Sequence, residues 1–116
     1  MINFIWKVIL VININYEFRK GIMFIRLLGK LTVYNSKMVL ENIINIIKEI
    51  GIKLVVINLD NIKAIDAYGI NSILILNNKL REEHDKMFIC SNNCFKEKFE
   101  HQIPIISSEI DIFNVI

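Results

Sequence analysis

Several features are scarce in this chain of 116 residues, and each scarcity excludes a class of function. Its four glycines are scattered, so no glycine-rich loop is available to hold a phosphate group. No apolar run approaches the roughly 20 residues that a membrane-spanning helix needs. The 14 Lys and Arg residues, set against 12 Asp and Glu, form no basic block. Nucleic acid is therefore not expected as a partner.

The residues that usually carry catalysis or bind metals are equally sparse. The only two cysteines, Cys90 and Cys94, have CxxxC spacing, which is neither a redox CxxC motif nor half of a zinc site with a second pair. The histidines, His84 and His101, are isolated in polar surroundings. A thiol enzyme centred on the cysteines lacks a neighbouring base. The sequence thus predicts a protein that is not an enzyme, with no metal, cofactor or small-molecule substrate, and two reduced thiols in a cytoplasmic setting.

The first 11 residues are strongly apolar, but they do not form a secretory signal. Lys7 interrupts the run, no basic segment precedes it, and no small-residue cleavage site follows. Residues 1–11 are interpreted as an N-terminal extension, an added or mis-assigned start, or an edge strand. A membrane contact through Phe4, Ile5 and Trp6 is a minor alternative. Residues 12–116 are predicted to form one domain, long enough to bury about two-thirds of its unfolded surface.

Hydrophobic patterns predict five strands in this domain. Residues 8–18 alternate apolar and polar from position 12, and residues 22–28 follow after a short turn, so these two strands should pair as an antiparallel hairpin. Residues 54–57 are consecutive and β-rich, which favours a strand at 53–59 that is covered on both faces. Shorter strands are expected at 87–90 and 103–106. Pro104 places the last of these at an edge or at its own beginning.

Four helices separate or follow these strands. One is predicted from Asn35 or Ser36 to about Ile50, with Gly51 at its C-terminus, and a second begins after Asp66. A third should start at residue 92 or 93 and run to about 100, and a capping box at 108–111 should open a short C-terminal helix. The strand–helix–strand units imply parallel pairs with right-handed crossovers. The prediction is a single α/β domain with a mixed central sheet of about five strands and about four helices.

The stretch LVVINLDNIKAIDAYGI, residues 54–70, resembles the core of STAS domains, the family of bacterial anti-sigma factor antagonists. The order of elements and the last strand with its short helix also resemble that family over roughly residues 12–116. In the family, an Asp-Ser-Ser-Gly or Asp-Ser-Thr-Gly turn carries a regulatory phosphorylation. The corresponding turn here is Asp66-Ala67-Tyr68-Gly69. Tyr68 stands at the position of the phosphorylated residue, and Ala67 has no hydroxyl at all.

The resemblance implies a surface that binds another protein. Asp60 matches the residue that ends the central strand, Asp66 the Asp before the phosphoacceptor pair, and Gly69 the family glycine. Asp66 can be explained as an N-cap alone, as a binding residue, or as both. Tyr68 can be structural cover or an interface anchor. The predicted partner-binding residues are Asp60, Asn61, Lys63, Asp66, Tyr68 and Gly69.

Two functions are compatible with the resemblance. One is a cytoplasmic binding module that engages an anti-sigma factor of the serine-kinase type and thereby influences sigma-factor-dependent transcription. In that case the usual serine switch is not expected, because Tyr68 occupies the acceptor position. The other is a non-phosphorylatable STAS subunit of a larger assembly, such as a stress-signalling complex or an ATPase-linked lipid-transport complex.

Overall fold

The structure, a computed structural model, describes residues 12–116; the interpretation of residues 1–11 lies outside this range. The described residues form an α/β domain whose strands and helices follow the predicted order. The strands are β1 (Ile12–Arg19), β2 (Ile22–Leu31), β3 (Leu54–Ile65), β4 (Lys86–Cys90) and β5 (Ile105–Ile106). The α-helices are α1 (Ser36–Ile50), α2 (Ala67–Glu82) and α3 (Ile112–Val115), and two 3-10 helices span Cys94–Lys98 and Glu109–Asp111.

The five strands form one mixed sheet in which their spatial order is the same as their order along the chain. β1 and β2 pair antiparallel, as the short turn predicted, and the other three pairs are parallel. The hairpin turn uses Lys20 and Gly21, both with positive φ (54° and 81°). Such a pair of φ values is typical of the two-residue turns whose twist matches that of the flanking strands.

The two faces of the sheet carry separate hydrophobic clusters. The larger cluster lies on the face covered by α1 and α2, where alternate residues of the strands meet the apolar sides of both helices. Gly51, with φ of 77°, ends α1 in the left-handed conformation that glycine adopts without strain. The smaller cluster lies on the opposite face, called here the back face. Its buried members are Ile22, Phe24, Val56, Cys90, Ile106 and Ile112.

Four predicted elements differ from the observed ones. β2 continues to Leu31 and β3 to Ile65, beyond their predicted ends at residues 28 and 59, because their last residues pair with each other. The third helix is a 3-10 helix at Cys94–Lys98, capped by the Asn93 side chain, and ends before residue 100. β5 has only two residues, since pairing with β4 begins after Pro104.

The two cysteines are both free within this fold. Cys90 ends β4 and is buried on the back face, whereas Cys94 is exposed at the start of the following 3-10 helix. Burial, helped by the nearby carboxylates of Asp60 and Glu109, raises the pKa of the Cys90 thiol to about 12. Across residues 12–116, no helix is both long and apolar enough to cross a membrane.

Candidate functional site

An extra residue in β3 places Asp60 on the surface. Between Asn58 and Asn61, which both pair with β2, β3 contributes Leu59 and Asp60 opposite the single Leu27. Such a bulge breaks the alternation of side chains between the two faces of a sheet. Leu59 is accordingly buried, while Asp60 and Asn61 are both exposed, one after the other.

A second irregularity in the pairing of β3 with β2 places Lys63 on the surface. Ile62 pairs with Gly29 and Ala64 pairs with Lys30, which leaves Lys63 without a pairing residue on β2. The Lys63 side chain is exposed, whereas Ile62 before it is buried. The distal half of β3 therefore presents three of the predicted site residues on a kinked strand instead of in a loop.

Asp60 joins the end of β3 to the loop that follows β4. Its carboxylate Oδ1 accepts a hydrogen bond of 2.7 Å from the backbone N–H of Asn92. The side-chain amide of Asn93 donates to the carbonyl of Leu59 at 2.7 Å, beside it. The Asp60 N–H donates to Oδ1 of Asn58 at 2.9 Å. One carboxylate oxygen of Asp60 is thus used within the protein.

Asp66 is the N-cap of α2, and it also holds the loop after β2. Its Oδ1 accepts a hydrogen bond from the N–H of Gly69 at 2.9 Å, and its Oδ2 accepts one from the N–H of Val33 at 2.9 Å. Burial raises the pKa of this carboxyl, but hydrogen bonds from the N–H groups of Gly69, Val33 and Tyr68 outweigh it, so the pKa lies below its ordinary value. Asp66 therefore stays ionised and fixes the geometry of the turn.

Gly69 allows the start of α2 to approach β2 and β3 closely. A Cβ atom at this position would overlap the carbonyl oxygen of Leu31 and lie 2.8 Å from Cγ1 of Ile65. The same Leu31 oxygen accepts a hydrogen bond from the N–H of Asp66 at 3.2 Å. Gly69 is thus required by packing.

Tyr68 projects from the first turn of α2, with 62% of its surface exposed. The nearest serine along the helix, Ser72, is 6% exposed and donates its hydroxyl hydrogen to the carbonyl of Gly69 at 2.7 Å. The Ser72 hydroxyl is therefore bonded within the helix. The Tyr68 phenol is the accessible hydroxyl at this turn.

The loop between β2 and α1 adds exposed apolar groups that sequence analysis did not assign to the site. Val33 is 48% exposed and Tyr34 is 74% exposed, and the bond from Val33 to Asp66 holds this loop against the α2 start. These two consecutive apolar residues, in a segment predicted to be a loop, were the sequence feature that could have assigned them to the site. The name "acidic corner" is used below for the group of residues Asp60, Asn61, Lys63, Asp66, Tyr68, Val33 and Tyr34; Gly69, also predicted to bind a partner, is buried beneath the start of α2.

Within residues 12–116, no three His, Cys, Asp or Glu side chains come together in a way that could hold a metal ion. At the acidic corner the two carboxylates, Asp60 and Asp66, accept hydrogen bonds from backbone N–H groups. Carboxylates arranged in this way fix loops and helix ends, and the exposed side chains around them are available for contact with another molecule.

Comparison with known proteins places this geometry in a family. The STAS domain model matches residues 13–103. Among solved structures, an anti-sigma factor antagonist from Mycobacterium paratuberculosis is similar, with a TM-score of 0.77 and 13% identity; the match covers 90% of this chain and 93% of that one. The anti-sigma factor antagonist SpoIIAA in its unphosphorylated form has a TM-score of 0.74 and 16% identity, over 89% of this chain and 97% of that one.

The Bacillus cell fate determinant SpoIIAA in its phosphorylated form is also similar, with a TM-score of 0.70 and 15% identity. The match covers 90% of this chain and all of that one. At these identities, the structural matches establish a shared fold.

Proposed function

The chain belongs to the STAS domain family, and from this premise we propose that it is a regulatory binding module that engages a partner protein through the acidic corner. The partner we propose is an anti-sigma factor of the serine-kinase type, so that binding influences sigma-factor-dependent transcription. In this proposal the protein catalyses no reaction. The similar solved structures described as anti-sigma factor antagonists support this choice of partner class.

The observation that carries the proposal is an exposed aromatic side chain on a rigid support. Tyr68 is 62% exposed, yet its backbone lies between Asp66, which caps the helix, and Gly69, which packs against β2. A large aromatic group whose backbone is already fixed loses little conformational freedom when it is buried by a partner. Tyr34 is also exposed, and it follows directly after Val33, whose N–H is bonded to Asp66.

We further propose that serine phosphorylation does not switch this corner. Ala67 has no hydroxyl, and the Ser72 hydroxyl is buried and bonded within the helix. A phosphate at the first turn of a helix would add about −1.5 to −2 charges where unpaired N–H groups favour anions. The Tyr68 oxygen extends several bonds farther from the backbone than a serine oxygen, so a serine kinase would not align it with ATP.

Binding is tested by affinity purification with the wild-type protein and two variants, Asp66→Lys and Tyr68→Ala. We expect the wild type to recover a kinase-type anti-sigma factor, identified by mass spectrometry, and both variants to lose it. Glu82→Lys is the matched control, because this exposed residue lies at the other end of α2. Equal recovery by Tyr68→Ala and the wild type would refute the assignment of the interface.

The absence of a serine switch is tested by incubating the protein with the recovered kinase and ATP and measuring its intact mass. The wild type should gain no phosphate, whereas Tyr68→Ser, which restores a hydroxyl at the acceptor position, should gain one. A stoichiometric phosphate on the wild-type turn would overturn this part of the proposal.

The second candidate function, a subunit of a larger STAS assembly, is favoured by the same lack of an accessible serine or threonine at the turn. Size-exclusion chromatography separates the two functions. A subunit of an assembly should self-associate or co-purify in a large complex, while a binding module should elute alone or with one partner.

A further inference from the structure

The last residues of the chain form a strap across the back face of the sheet. Residues 107–116, called the C-terminal strap, contain the 3-10 helix Glu109–Asp111 and α3 (Ile112–Val115). The family match ends at residue 103, so the strap lies beyond it. The acidic corner is formed mainly by β3 and the start of α2, and the strap contributes none of its residues.

One buried side chain and one ion pair hold the strap in place. Ile112 is fully buried in the same cluster as Phe24, Val56 and Cys90. The Glu109 carboxylate accepts two hydrogen bonds from the guanidinium of Arg26, at 2.8 and 2.7 Å. Such a two-point pair fixes both position and orientation.

The strap is connected to Asp60 by two polar routes. In the first, Oε2 of Glu109 accepts a hydrogen bond of 2.8 Å from the side-chain amide of Asn58. The Oδ1 atom of Asn58 in turn accepts a hydrogen bond of 2.9 Å from the N–H of Asp60. In the second, the side-chain amide of Asn92 donates to the carbonyl of Ser107 at 2.6 Å, and the Asn92 N–H donates to the Asp60 carboxylate at 2.7 Å.

Asp60 needs this support because it lies in the bulge of β3. Asp60 and Leu59 together face one residue of β2, so regular pairing does not fix the Asp60 backbone. The orientation of the Asn58 side chain decides whether the Asp60 N–H is bonded, and Glu109 holds the other end of Asn58.

We propose that Glu109 is a positioning residue for the acidic corner. The C-terminal strap fixes Asp60 through Asn58 and Asn92, so release of the strap loosens Asp60. The hydrogen bonds that Asp66 accepts from Gly69 and Val33 remain in place. A partner could then regulate binding at the corner by holding or displacing the strap on the opposite face. That consequence rests on the proposed function, whereas the coupling itself is a property of the isolated protein.

Release of the strap is measured by the labelling rate of the Cys90 thiol, in a Cys94→Ser background that removes the exposed thiol. The variants are Glu109→Gln, which removes the charge of the ion pair, and Ile112→Ala, which weakens the apolar contact. Both should label roughly tenfold faster than the background, since each loses an interaction that holds the strap. Glu109→Gln also removes a charge that raises the pKa of Cys90, so Ile112→Ala, which keeps that charge, shows how much of the change comes from release of the strap. Val39→Ala, in the main core, is the control for a general loss of stability.

Coupling to the corner is measured by amide hydrogen exchange, followed by NMR, in the same proteins. The Asp60 and Asn92 amides should exchange about tenfold faster in Glu109→Gln, and the Gly69 and Val33 amides, which are held by Asp66, should not change. Asn58→Ala should accelerate the Asp60 amide and leave Cys90 labelling near the background rate, because Arg26 still holds Glu109.

The outcomes separate this proposal from its alternatives. Faster Cys90 labelling with unchanged exchange at Asp60 and Asn92 would overturn it, and so would unchanged labelling in Glu109→Gln. Equal acceleration of exchange at the Asp60, Asn92, Gly69 and Val33 amides would also overturn the proposal, because Glu109 would then be a purely structural residue. None of these measurements uses a partner, so failure of the proposed function leaves the result interpretable.

Discussion

Removing the Asp66 carboxylate should separate its two structural roles, because each of its oxygens accepts a different backbone N–H. In Asp66→Ala both bonds are lost, to Gly69 and to Val33. In Asp66→Asn the amide oxygen can accept only one of the two N–H groups, since the NH2 group faces the other. The alanine variant should therefore be less stable than the asparagine variant.

The magnitudes follow from the two bonds. Loss of an N-cap costs about 1 kcal/mol of unfolding free energy, within a range of roughly 0.5–2. The bond to Val33 lies at an exposed position and adds about 0.5–1.5 kcal/mol. We expect a loss of about 1–3 kcal/mol for Asp66→Ala and about 0.5–1.5 kcal/mol for Asp66→Asn.

The difference between the wild type and Asp66→Asn should also depend on pH. The pKa of Asp66 in the folded protein lies below its ordinary value of 3.8, because backbone N–H groups stabilise the carboxylate. A depressed folded pKa contributes stability that is complete above the unfolded pKa and is lost as the pH falls through the folded pKa. The difference should thus be constant at neutral pH and shrink below about pH 3.8.

The assay is urea unfolding followed by circular dichroism at a series of pH values, with Glu82→Gln as an exposed control that should match the wild type. Equal stability of Asp66→Ala and Asp66→Asn would mean that the one hydrogen bond that asparagine retains contributes nothing. A wild-type advantage that persists undiminished at the lowest pH would show that the charge of Asp66 is not responsible.

Three further changes test separate contacts. Gly69→Ala should lower the unfolding free energy by about 1–3 kcal/mol, despite the better helix propensity of alanine, because its Cβ would overlap the Leu31 carbonyl; unchanged stability in urea would contradict that packing. Tyr16→Phe should raise stability by up to about 1 kcal/mol, because the buried Tyr16 hydroxyl has no hydrogen-bond partner among residues 12–116; a loss of stability measured in the same assay would reveal a partner for this hydroxyl. Tyr68→Ala should change the melting temperature by no more than about 2 °C, because its side chain is mostly exposed; a large drop would identify Tyr68 as structural cover.

The regular elements were predictable from local patterns. The hairpin, α1 and the start of α2 follow from residues that act locally: the Lys20-Gly21 turn, the Gly51 C-terminus and the Asp66 cap. The capping box at residues 108–111 is likewise present, because its two bonds join residues only three positions apart. Such signals depend on neighbouring residues alone and can be read from the sequence.

The elements that were missed depend on contacts between distant segments. The third strand was predicted to end at residue 59, yet pairing with β2 extends it to Ile65. The bulges that expose Asp60 and Lys63 arise from a mismatch in length between two strands whose paired residues lie 32 to 34 positions apart along the chain, so local sequence patterns do not predict them. The bond between Asp66 and Val33, which brings Tyr34 to the site, joins residues 33 positions apart.

The strands lie in the sheet in the same order as they occur along the chain, and this order affects how the protein folds during synthesis. Among the strands of residues 12–116, none must insert between two that are already paired, so each unit can dock as it leaves the ribosome, beginning with the hairpin. The contact between Arg26 and Glu109 spans 83 positions and closes last. A nascent chain would therefore carry a nearly finished sheet whose back face is still uncovered until residues 107–116 have been made.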